Sequence, residues 1–153
     1  MRLNLHEVLM EVSKVEHKAD KIKVLQKYQN NVPLKELLKL AYDKAAEFDL
    51  PEGDPPYKAD KTVPVGMSET DLYNELRRVK RCLKNDPLPK IRKESIFIEI
   101  CEGIHWTEAE LLIAIKDGKL ADKYRGMSRI LVKEAFPGLL PEEPKKSEKQ
   151  KEE

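Results

Sequence analysis

Glycine is scarce in this chain, at 6 of 153 residues, and β-branched runs are few. Both absences argue against a sheet protein. No apolar run approaches the roughly 18 residues that span a bilayer. The first residues carry an amphipathic helical pattern instead of the apolar core of a secretion signal. Only two cysteines occur, Cys82 and Cys101, and they form no close pair. They read as reduced thiols in a cytosolic setting.

Catalytic vocabulary is equally thin. His6 and His17 stand eleven apart and His105 is alone beside Trp106, so no set has zinc-ligand spacing. A Gly-rich phosphate loop and a G-x-S-x-G elbow are both absent. Acidic residues fall as helix surface, with no isolated pair among apolar neighbours. Neither catalysis, nor a metal, nor a cofactor is expected. His105-Trp106 reads as a packing staple ahead of a helix capped by Thr107.

What the chain has in abundance is charge, 37% of residues, beside 40% hydrophobic residues. That balance suits an all-α domain with charged outer faces. The net charge of +1 hides blocks of one sign. From 77 to 93 there are eight basic residues (Arg77, Arg78, Lys80, Arg81, Lys84, Lys90, Arg92, Lys93) against Asp86 alone. From 94 to 110 there are five acids and no Lys or Arg. From 116 to 133 there are six basic residues against two acids. Each block reads either as an electrostatic face or as a solvated helix surface.

Apolar periodicity predicts six to seven helices in one compact bundle. The first carries Leu5, Val8, Leu9, Val12 and Val15, with Asn4 as its cap. The second fits Ala19 to Gln29 and is broken by Asn30-Asn31. The third runs from Pro33 to about Phe48 and includes Ala45. "DLPEGDPPYKADKTVPVG" follows, with four prolines and two glycines, so residues 49–67 read as a long Pro-rich loop. A fourth helix starts at Ser68 with Asp71 in a capping box, and a fifth spans Lys90 to Glu102. Thr107 and Glu110 form a second capping box for a sixth helix that stops at Gly118. Ser128 caps a seventh, ending at Ala135. Residues 1–140 form the domain, and 141–153 read as a disordered charged tail.

The order of motifs resembles the N-terminal helical DNA-binding domain of T-even-phage ATP-dependent DNA ligases. "LQKYQNN" ends the Lys-rich second helix, "LKELLKLAYD" forms the third, and "VGMSETDL" follows the loop. The most specific stretch is "TEAELLIAIKDGKLADKYRGMSRILVKEAFPGLLPEEP". The resemblance covers about residues 3 to 144. The chain also resembles small uncharacterised proteins of T-even-like marine phages, which share "LPEG-PPYK" and "AFPGLL"; in that setting the compartment is the host cytoplasm. One departure matters. A ligase carries a Lys-x-Asp-Gly adenylation motif, whereas "KADK" has Lys in place of Gly and "IKDG" has Ile in place of the nucleophilic Lys.

The resemblance implies a non-catalytic module that grips the backbone of duplex DNA, nicked duplex included, in phage replication or repair. The site residues it implies are Lys116, Lys119, Lys123, Tyr124, Arg125, Gly126, Ser128 and Arg129. Ser128 opens a helix whose free N–H groups suit a phosphate. Gly126 lets a backbone come close. Tyr124 either stacks at a sugar edge or packs in the core. The 77–93 block is a second basic patch, argued from charge alone. The alternative is a protein-interaction adaptor for a phage or host replication or transcription protein, using the acidic 94–110 stretch, the loop and the tail.

Overall fold

A computed structural model describes residues 5–43, 46–53, 55–58, 61–64 and 67–140. Within them the chain is all-α. The elements are α1 Leu5–Lys14, α2 Lys18–Lys27, α3 Val32–Tyr42, α4 Leu72–Val79, a 3-10 turn Lys80–Cys82, α5 Lys90–Gly103, α6 Trp106–Lys116, α7 Leu120–Lys123 and α8 Arg129–Ala135. The extra helix beyond the expected seven is α7, a single turn inside "KLADKYRG". Asn4 and the 141–153 tail lie outside the described residues.

Helix α6 is the centre of the bundle. Thr107 to Ile115 are buried on every side except Glu110, as expected of a helix surrounded by others. It packs against α1, α3, α5 and α7. The outer helices bury one stripe each: Leu5, Val8, Leu9 and Val12 from α1, and Leu34, Leu37, Leu38 and Leu40 from α3. Helix α2 packs along α8.

Helix α2 spans Lys18–Lys27 where Ala19 to Gln29 is expected, and three further boundaries differ, each for a physical reason. Helix α3 stops at Tyr42, because the chain turns extended at Asp43 (ψ 120°). Phe48 then packs on the core from an isolated antiparallel bridge with Leu83, not from a helix. Asp49 N–H donates to the Cys82 carbonyl at 2.9 Å, and Lys84 N–H to the Glu47 carbonyl at 2.7 Å. Ala45 is outside the described residues.

Helix α4 starts at Leu72, with the Asp71 carboxylate accepting the Asn74 N–H at 3.0 Å. Ser68 does not cap it, because Thr70 N–H is drawn to the Gly103 carbonyl at 3.0 Å. Helix α6 is capped by His105 and not by Thr107. Its Nδ1 accepts the Thr107 N–H at 3.3 Å, and its Nε2 meets the Val63 carbonyl at 2.9 Å. The imidazole is thus both cap and tether for the loop, in place of the expected staple. Asn31, expected only to break a helix, caps α3 through Leu34 N–H at 3.1 Å.

Two buried lysines fix the outer elements. Lys93 is 1% exposed; its ammonium pairs with Asp49 at 3.0 Å and donates to the Leu83 carbonyl at 2.7 Å. Lys21 is buried against the end of α1, where it donates to the carbonyls of Val12, Ser13 and Val15. A cation there answers the orphan carbonyls and partial negative charge of a helix C-terminus.

Removing one partner of the Lys93–Asp49 pair is therefore asymmetric. Asp49→Ala strands a buried ammonium and should lose on the order of 2–4 kcal/mol. Lys93→Met leaves Asp49 able to reach water and should lose less. Urea denaturation of the two variants checks the order.

Candidate polyanion interface

The sixteen basic, small and aromatic side chains expected at the two surfaces do not end up equivalent. In the 77–93 block, most cations meet carboxylates, some local and others brought from far away in the sequence. Arg78 pairs with Glu99 at 2.6 Å and Glu75 at 3.2 Å. Lys80 meets Glu36 at 3.3 Å, Arg81 meets Asp86 at 2.7 Å, and Lys84 meets Glu47 at 3.3 Å. Lys93 is a core residue and cannot face a ligand. Arg77, Lys90 and Arg92 are exposed and make no ion pair or hydrogen bond among the described residues. Salt bridges this exposed add little stability. They do cancel field, so the second patch is a largely compensated surface.

The 116–129 segment also divides. Lys116 is expected on the rim, but its side chain is 2% exposed and fully engaged. It pairs with Asp117 at 2.6 Å and donates to the carbonyls of Pro51 and Gly53, each at 2.9 Å. It is the clamp of the Pro-rich loop, not a phosphate contact. Tyr124 is fully buried, and its hydroxyl lies 2.7 Å from His6 Nδ1, so its ring packs in the core and does not stack on a ligand. Burial pushes that phenol's pKa upward, with Glu110 adding to the effect. The same burial lowers the pKa of His6, helped by the Lys123 charge.

Gly126 has φ +86°, a left-handed conformation that favours glycine. A Cβ built there would lie 2.6 Å from Lys21 Cε. The close approach that this glycine permits is to a lysine of α2, not to a ligand backbone. Ser128 is an N-cap as expected, its hydroxyl accepting the Leu131 N–H at 3.2 Å. Helix α8 is only seven residues long, so its dipole is a small part of any anion site.

Four cations of the segment remain at the surface to different degrees. Lys123 pairs with Glu110 at 3.0 Å. Lys119 is 4.0 Å from Glu52, with both side chains mostly exposed. Arg129 is half-buried and reaches the Tyr42 carbonyl at 3.4 Å. Arg125 is exposed and makes no ion pair or hydrogen bond among the described residues. Its charge is felt by Lys21, whose pKa is lowered first by burial and then by Arg125. The chain thus brings Lys21, itself held by three carbonyls, under the influence of Arg125. Sequence reasoning missed Lys21, because α2 and the 116–129 segment meet only in the fold; the lysine-rich register of α2 was the available signal.

Elsewhere, a hollow of about 240 Å³ is lined by Ser68, Cys101, His105 and Trp106. Both nitrogens of His105 are already engaged, and burial pushes the Cys101 thiol up to about 12. Among the described residues no three His, Cys, Asp or Glu side chains gather to hold a metal, and no helix is long and apolar enough to cross a membrane.

A family model matches residues 8–122, and the chain belongs to that family, a family of unknown function (DUF6433). The match runs from α1 into α7 and stops before Arg125 and α8. No curated protein matches the chain.

Gly126→Ala combines an unfavourable φ with a clash on Lys21, and should cost about 1–3 kcal/mol in thermal or urea unfolding. Gly126→Ala in a Lys21→Ala background should cost measurably less, because the clash is then gone.

Proposed function

We propose that this member of the family is a non-catalytic DNA-binding module that holds duplex backbone without reading sequence, through the corner formed by α2, α7 and the start of α8. Arg125 is the central contact, with Lys119 and Arg129 beside it and Lys123 at the edge. The observation that supports this most is Arg125, an exposed cation with no ion pair or hydrogen bond among the described residues. An exposed cation without an acid partner can take a phosphate oxygen, and the duplex releases counterions when it does. The sequence resemblance to a ligase DNA-binding domain points the same way, toward phage replication or repair. Such contacts position a duplex and carry no base information.

The second reading, a protein-interaction adaptor, is favoured by one specific feature. Ile91 is 77% exposed at the start of α5, between the exposed Lys90 and Arg92. A branched apolar side chain flanked by cations suits an acidic protein surface better than a phosphate row.

Fluorescence anisotropy with intact, nicked and single-stranded DNA at low and moderate salt tests the first reading. Duplex binding is expected in the range typical of non-specific contacts, roughly 10⁻⁴ to 10⁻⁶ M, and weakens steeply with salt. Arg125→Glu should reduce it about tenfold or more, and Arg125→Glu with Arg129→Glu should abolish it. Arg78→Glu and Arg81→Glu should change it little. Equal binding by the parent and the Arg125→Glu, Arg129→Glu protein removes the assignment. Flat anisotropy at low salt leaves the adaptor.

A further inference from the structure

Three helix starts converge on one buried carboxyl group, that of Glu108. It is the third residue of α6 after the His105 cap. A glutamate at this position ordinarily lies in solvent and reaches back to its own cap. Here it is 1% exposed. Its Oε1 accepts the N–H of Leu72, the first residue of α4, at 3.3 Å. The N–H of Leu5, the first residue of α1, also bonds to this carboxyl. Oε2 is buried and has no hydrogen-bond partner among the described residues.

The charged groups that act on Glu108 come from the elements around it. Asp71 caps α4, Glu7 lies in the first turn of α1, and both oppose a negative charge on Glu108. The Tyr124 phenol beyond α7 feels the same carboxyl. Two N–H donors at helix starts favour the ionised form, while burial and the two acids favour the neutral one.

We propose that Glu108 is a proton-operated latch: neutral, it docks the first turn of α1 onto α6, and ionised, it lets that turn open so that water can reach the unpartnered oxygen. The latch extends further, because the first turn of α1 also carries His6, which holds the Tyr124 hydroxyl at 2.7 Å. Opening α1 therefore loosens the segment that leads to Arg125.

The sign follows from linkage. Burial, more than the neighbouring acids, raises the folded pKa of Glu108 from 4.5 to about 7. The opened form titrates near the ordinary carboxylate value. Protons therefore favour the closed form. Its advantage is full below the ordinary value, falls as pH rises, and is lost by about pH 7.

The test is amide hydrogen exchange of α1, corrected for intrinsic rates and referenced to α5, across pH 5 to 8. The wild type and Glu108→Gln are compared, and the Glu108 carboxyl is followed by ¹³C NMR in the wild type. The carboxyl should titrate near neutral pH. Protection of α1 should fall at least about tenfold through that titration in the wild type, and hold in Glu108→Gln. Any part due to His6 persists in both proteins and is subtracted. A carboxyl that titrates in the ordinary range overturns the proposal. So does α1 protection that ignores pH, or that falls equally in Glu108→Gln. Should Glu108→Gln not fold, the wild-type titration and its coincidence with α1 protection still decide.

Discussion

Charge compensation across helix interfaces is the constraint on which the rest of this structure depends. With 29 basic and 28 acidic residues, the chain folds into one bundle only if the cations it takes out of water meet a partner. The pairs that matter energetically are the buried ones. Lys93 on Asp49 pins the chain after α3 to the start of α5, and Lys116 with Asp117 clamps the Pro-rich loop. Lys21 is answered differently, by carbonyls at the end of α1. A buried cation without such a partner is costly, so each of these lysines specifies where a neighbouring element must lie.

The same constraint explains how much was legible in the sequence. Apolar periodicity found every helix longer than one turn, because a stripe such as Leu5, Val8, Leu9 and Val12 is a local property of the chain. Ser128 as a cap, and Gly118 just past the end of α6, were legible for the same reason. Boundaries failed where tertiary contacts overrode local chemistry. Thr70 went to Gly103, His105 took the place of Thr107, and Phe48 left a helical register to pair with Leu83. A capping box read from sequence cannot know which oxygen or nitrogen will be buried beside it.

The candidate site was legible only in part. A run of eight basic residues looks like a cationic face as long as its partners are invisible. Glu36, Glu47, Asp49 and Glu99 lie outside that run and arrive only on folding. Tyr124 and Gly126 carry the right chemistry for a nucleic acid, yet one is core and the other makes room for Lys21. What survives is a smaller and more specific surface around Arg125. Arg125 and Arg129 lie beyond the 8–122 stretch that the family match covers, while Lys119 and α2 lie within it.

The central claim is that folding compensates most of the larger basic block, save Arg77, Lys90 and Arg92, and leaves the Arg125 corner as the polyanion surface. Amide chemical-shift mapping on adding a short duplex at low salt tests this most directly. The account predicts perturbations gathered on residues 119–130 and the facing part of α2, fading together as salt is raised, with residues 77–93 unmoved. Shifts centred on Arg77, Lys90 and Arg92, or none anywhere, would contradict it.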